Sequence, residues 1–194
     1  MKKLMFVLAA LLLCGAAFAN DPFSSKDTSK FGVGLTIMNP TDSLTKQSGS
    51  SWLGFDVSYH LKFDGADRPT QSINLGYIGG DKDRDMTGLD AKATFMPITY
   101  SFTKYSKESG SGFYYGAEAG FAYAKMKAKP ALGGTWRSDS GFVPILGATV
   151  GYNFATYYYA AFKYYFPFSG LDLPVYGDAD FGGWCITLGT NYTF

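Results

Sequence analysis

Histidine and cysteine are almost absent from this sequence. His60 is the only histidine, and Cys14 and Cys185 are the only cysteines, in 194 residues. Zinc sites draw on several His and Cys ligands together, so no metal centre of that kind is expected. Catalysis that needs a histidine has one candidate. Excess charge of either sign is also missing, with 17 Lys+Arg against 16 Asp+Glu. Nucleic-acid binding needs a concentrated basic face, so nucleic acid is not an expected partner. Beyond the first residues there is no run of eighteen apolar residues, which excludes a transmembrane helix there. No cofactor motif is present.

The first residues read as an export address. Lys2 and Lys3 precede the apolar run Leu4–Leu13, and Ala17-Phe18-Ala19 supplies a small-x-small site before Asn20. This order predicts a signal peptide over 1–19, cleaved after Ala19, and a single domain over 20–194. An alternative is lipoprotein processing before Cys14, although Leu13 is not the small residue that such sites prefer. Removing 1–19 takes two lysines and leaves 15 of the 17 basic residues facing all 16 acidic ones. It also leaves Cys185 alone, so no internal disulfide is expected.

What the chain has in quantity is aromatic residues and glycine: 15 Tyr, 17 Phe and 24 Gly. They fall in segments with period-2 alternation, the signature of strands. In Trp52–Phe63, for example, Leu53, Phe55, Val57, Tyr59, Leu61 and Phe63 share one face. The other face carries Asp56, Ser58, His60 and Lys62. Similar segments are expected at 31–38, 72–77, 89–103, 113–123, 142–154, 158–168 and 184–194. Pro97 lies inside the fourth, where a bulge or ladder defect is expected. Longer connections at 39–51, 79–88, 125–140 and 169–180 alternate with shorter ones at 64–69, 104–112 and 155–156. Eight strands with two-sided connections and aromatic strand ends predict an all-β fold. It is an eight-stranded antiparallel up-and-down transmembrane β-barrel, with both termini at the short-turn end. A soluble β-sandwich is the main rival.

Leu188-Gly-Thr-Asn-Tyr192-Thr-Phe194 ends in an aromatic, with another two residues before it. Together with Phe113–Tyr123 and Met96–Phe102, it resembles the broad outer-membrane β-barrel domain family of the OmpA membrane domain, OmpX and OmpW. The resemblance covers residues 20–194. It implies integral residence in the outer membrane of a Gram-negative cell, among outer-membrane lipids and lipopolysaccharide. It also implies that Leu188, Tyr192 and Phe194 form the C-terminal signal read by the barrel assembly machinery.

The inward faces carry the functional candidates. Asp56, Glu118 and Lys163 are expected at similar heights, forming a luminal charge network that plugs the barrel. Ser58, His60 and Lys62 are expected to face the lumen near the turn end. The function expected is a structural or surface-interaction barrel with a largely closed lumen and no catalytic residues. One alternative is a narrow OmpW-like conduit for small or hydrophobic molecules. Another is a lipid A-modifying enzyme built on Ser58 and His60, which sit at the wrong end for outer-leaflet substrates. The segment Asp81-Lys-Asp-Arg-Asp85 offers either a solvated loop or a contact for divalent ions and lipopolysaccharide phosphates. The sequence does not fix the oligomeric state.

Overall fold

The computed structural model describes residues 30–62, 69–82, 89–107, 111–130, 134–154, 158–174 and 176–193. The signal segment, Phe63, residues 83–85 and Phe194 lie outside these. Among the described residues ten strands follow one another: β1 (Lys30–Pro40), β2 (Trp52–Lys62), β3 (Thr70–Lys82), β4 (Leu89–Tyr105), β5 (Gly112–Pro130), β6 (Arg137–Phe154), β7 (Tyr158–Pro167), β8 (Leu171–Leu173), β9 (Gly177–Ala179) and β10 (Gly183–Thr193). Eight of them, β1–β7 and β10, form a closed antiparallel up-and-down barrel, sealed where β1 pairs with β10. The expected fold class is therefore found.

Side-chain alternation sets which face turns inward. On β1, Gly32, Gly34, Thr36 and Met38 are buried, while Ile37 is exposed. On β2, Trp52, Gly54 and Asp56 are buried between the outward Leu53, Phe55 and Val57. The same parity holds around the barrel. It leaves a broad outer band of exposed apolar side chains, among them Leu75, Ile98, Phe121, Val150, Phe162 and Leu188. Folded soluble domains rarely leave a contiguous apolar patch of more than a few hundred Å².

Pro97 produces a ladder defect without a slip in register. Leu75 pairs with Ile98 and Ile78 with Phe95, and the pairs between them are missing. The Pro97 ring turns inward over Gly76, where an added Cβ would lie 2.8 Å from Pro97 Cγ. Glycine at 76 is what lets the missing donor and the ring fit together.

The connections at the end carrying the β1–β2, β3–β4, β5–β6 and β7–β10 links (the loop end) depart from expectation. Residues 79–82 of the expected 79–88 loop, and 125–130 and 137–140 of the expected 125–140 loop, are strand. β3 continues to Lys82, β5 to Pro130, and β6 begins at Arg137. β5 is 19 residues long while β7 is only 10, so one wall stands above the other. Polar residues such as Lys125 and Ser140 alternate there as regularly as apolar ones do below, and strand pairing is indifferent to that polarity. The 169–180 connection is also not a plain loop, because β8 and β9 form a hairpin there.

The inner face of the tall wall is lined by Ala91, Ala93, Ala122, Ala124, Met126 and Ala128, all buried. Small side chains let other backbone pack close. A 3-10 turn at Thr45–Ser48 covers β4 and β3, and β8 covers β5 and β6. Asp42 fixes the 3-10 turn by accepting from the backbone N–H groups of Leu44 and Thr45, both at 2.9 Å.

Candidate functional site: a layered lumen

The lumen has two layers. Toward the end that carries the β2–β3, β4–β5 and β6–β7 turns (the turn end) it is polar. Toward the loop end it is apolar and packed.

The polar layer centres on Asp56 from β2, Glu118 from β5 and Lys163 from β7. Lys163 Nζ donates to Asp56 Oδ2 at 3.2 Å, and both side chains are about one-tenth exposed. The other Asp56 oxygen lies 3.5 Å from Thr36 Oγ1, which shares a 2.8 Å hydrogen bond with Thr187 Oγ1. Glu118 is buried, and its Oε2 accepts from Thr99 Oγ1 at 2.5 Å and from Asn74 Nδ2 at 3.3 Å. Among the described residues its Oε1 has no hydrogen-bond partner. Glu118 packs over Gly147, where a Cβ would meet Glu118 Cγ at 2.5 Å. A buried carboxylate is tolerable only with such donors or an opposite charge.

All three charged residues border one cavity of about 60 Å³. That volume suffices for a few waters. Ser58, His60, Ser72 and Asn153 also line it, and the Tyr105 and Tyr114 rings, 5.4 Å apart, stand among its walls. His60 Nδ1 and Ser72 Oγ share a hydrogen bond of 2.6 Å. Lys62 pairs with Gln71 after a register shift between His60 and Lys62, and its side chain lies outside the described residues. The His60–Ser72 pair was not visible in the sequence, because it joins two strands. Ser58 and His60 share the luminal face of β2, but no hydrogen bond joins them among the described residues.

The apolar layer was missed as a feature. Phe181, just after β9, is fully buried. Its ring stacks on Phe95 at 6.0 Å and tilts against Trp52 at 5.8 Å. Phe95 meets Tyr165 edge-on at 5.5 Å. Leu171, Leu173 and Ala179 of the hairpin join the same cluster, with Met126, Val143 and Ile145 of the tall wall. A void of about 10 Å³ lies beside Thr36, Pro97 and Tyr165. A signal existed: Leu171-Asp-Leu173 and Ala179-Asp-Phe181 alternate on either side of a Pro-Val-Tyr-Gly turn.

On the outer surface, Asp81 pairs with Lys92 at 2.8 Å, and both lie on strands rather than in a loop. The acidic and basic residues at 83–85 lie outside the described residues. Leu188 and Tyr192 face outward on β10. No group of three or more His, Cys, Asp or Glu side chains that could hold a metal ion occurs among the described residues.

No family profile matches the chain, and no curated protein is similar to it. Solved structures are. The attachment invasion locus protein Ail of Yersinia pestis superposes with a TM-score of 0.61 at 15% identity, covering 87% of this chain and 100% of Ail. The neisserial surface protein A, NspA, gives 0.51 at 11% identity, covering 86% and 97%. The N-terminal β-barrel domain of Pseudomonas aeruginosa OprF gives 0.50 at 15% identity, covering 86% and 98%. Identities this low speak for architecture only, and in architecture this chain is similar to the small eight-stranded outer-membrane barrels Ail, OprF and NspA.

Proposed function

We propose that this chain is an integral outer-membrane barrel with a closed lumen, acting in envelope structure or surface interaction through its loop end. The observation that carries the reading is an exposed apolar band surrounding a lumen blocked by packed aromatics. Two aromatic pairs bracket that band on β5 and β6. Phe113 pairs with Tyr152 at the turn end, and Tyr123 with Phe142 toward the loop end. Ten residue steps separate Phe113 from Tyr123. At about 3.3 Å per step and a tilt of about 45°, they span about 23 Å. An outer-membrane barrel needs an apolar band of about 25 Å with aromatic girdles. Beyond Tyr123 the outer face turns basic with Lys125, Lys127 and Lys129. That change fits emergence into headgroups and water, where lipopolysaccharide phosphates are natural neighbours.

In this reading the signal over 1–19 is removed after Ala19. The termini lie in the periplasm and the tall wall outside the cell. Leu188, Tyr192 and Phe194 serve insertion by the assembly machinery. Asp56, Glu118 and Lys163 act structurally, tying β2, β5 and β7 across the lumen, and Ser58, His60 and Lys62 wet its periplasmic mouth. No catalytic residue is assigned. His60 spends Nδ1 on Ser72 and lies far from outer-leaflet substrates.

Planar-bilayer recording tests the closed lumen. Purified protein should insert without discrete conductance steps. Steady single-channel steps would overturn the reading in favour of the conduit.

A further inference from the structure

The polar layer holds one negative charge more than it matches. The lining of its cavity carries two carboxylates, Asp56 and Glu118, and one ammonium, Lys163. With His60 counted neutral, the formal charge of that lining is −1. Lys163 Nζ is engaged by Asp56 at 3.2 Å. Glu118 receives only neutral donors, the Thr99 hydroxyl and the Asn74 amide, and both go to Oε2. Its Oε1 is buried and, among the described residues, accepts from no group. A carboxylate only 3% exposed is costly to keep without a counter-charge.

The surroundings of Oε1 suit an ion. It stands over Gly147, where a Cβ would crowd it at 2.8 Å, so glycine keeps that side clear. The next luminal residue of β6 toward the turn end is Thr149, which borders the cavity together with Glu118. Ser101 pairs with Glu118 in the β4–β5 ladder and borders it too. Their hydroxyls offer lone pairs, and hard cations take oxygen ligands. One free carboxylate oxygen among hydroxyls supplies a single negative charge. Divalent ions draw on more carboxylates than that. A cavity of about 60 Å³ has room for a small ion and a water or two.

We propose that the Glu118 side of this cavity binds one small monovalent inorganic cation, of sodium or potassium size. Glu118 Oε1 supplies the charge, Thr149 and Ser101 supply neutral oxygens, and water completes the shell. Ser58 and His60 line the same cavity toward the turn end, so the ion enters there. The packed rings of Trp52, Phe95 and Phe181 lie on the other side. The inference goes beyond a structural role for the charged layer, because it makes the stability of the barrel depend on the surrounding cation. An ion held at a blind end carries no current, so conductance recordings and this proposal fail independently.

The test unfolds the full chain with urea in phosphatidylcholine vesicles, in sodium, potassium or N-methyl-D-glucamine chloride. N-methyl-D-glucamine is too large for the cavity, and mixing the salts at one total ionic strength holds screening constant. Each tenfold rise in sodium or potassium should raise the midpoint by about 0.5–1 M urea as the site fills. Glu118→Gln removes the charge at nearly unchanged shape and should give the same midpoint in all three salts. Thr149→Val removes one neutral oxygen and should need more sodium for the same gain. Equal native midpoints in all three salts would overturn the proposal, and a proton on Glu118 would then balance the layer. A cation dependence that survives Glu118→Gln would overturn it as well, by placing the ion elsewhere. Should Glu118→Gln fail to fold, an unchanged sodium requirement in Thr149→Val decides against the site.

Discussion

Replacing Lys163 with methionine probes the luminal charge layer most directly. Asp56 and Lys163 lie 3.2 Å apart. At an effective dielectric of about 20, their attraction is about 5 kcal/mol. Removing both ions from water takes back most of that, so the net worth of the pair is small. The cost of removing one partner is not small. Asp56 is 8% exposed, and its remaining side-chain donor is the Thr36 hydroxyl at 3.5 Å. Glu118 simultaneously loses the nearest cation in the layer. Breaking a buried pair costs about 3–5 kcal/mol, and waters in the adjoining cavity would soften it to about 2–3 kcal/mol. Lys163→Met is thus expected to lower the urea midpoint in vesicles, followed by fluorescence of Trp52, Trp136 and Trp184. Adding Asp56→Asn should return stability to within about 1 kcal/mol of the native protein, because the stranded charge is gone. A single variant with the native midpoint would refute the network. So would a double variant no more stable than the single one.

Ile98→Arg places a charge on the outer face at mid-height, where Ile98 is 50% exposed. If that face meets lipid, unfolding in vesicles should cost about 2–4 kcal/mol less than for the native chain. An unchanged midpoint would argue for an aqueous outer face. Phe181→Ala removes the ring at the centre of the plug and should cost about 3 kcal/mol. Hydrogen exchange should rise at Leu171 and Leu173, and protection equal to native would mean the hairpin holds without its anchor. Cys185 is fully buried between Met38 and Lys163 in the ladders. It should resist maleimide in the folded barrel and react on urea unfolding, so rapid labelling of folded protein would place it wrongly.

The lower half of the barrel was legible because lipid imposes a strict rule. Every second residue must be apolar over about ten positions, as Leu53, Phe55, Val57, Tyr59 and Leu61 are on β2. The same parity sent Asp56, Ser58 and His60 inward without further information. It also put Asp56, Glu118 and Lys163 at comparable heights, since each strand rises by a fixed step from its turn. Which of the acids Lys163 would meet was not readable. That depends on side-chain reach across the lumen, and Thr99 and Asn74 hold Glu118 while Asp56 takes the lysine.

The upper half follows another rule, and its legibility failed for that reason. Above the Tyr123–Phe142 pair, Lys125, Lys127 and Lys129 alternate with the buried Ala124, Met126 and Ala128, as expected if the outer face there meets water. The resulting pattern resembles a polar loop when only hydrophobicity is weighed. Backbone pairing continues regardless, because the inner alanines are buried under the 3-10 turn and the β8–β9 hairpin. The hairpin in turn folds inward and buries Leu171, Leu173, Ala179 and Phe181. Burying four such side chains stabilises the docked state by several kcal/mol at about 1.5–3 kcal/mol for each large one. The plug and the tall wall therefore depend on each other. Undocking the hairpin would expose the alanine face, and trimming the wall would remove the surface that Leu171 and Leu173 cover. Packing of this kind at the loop end is what the proposed closed lumen rests on, because it leaves the Phe95, Trp52 and Phe181 rings in contact across the interior.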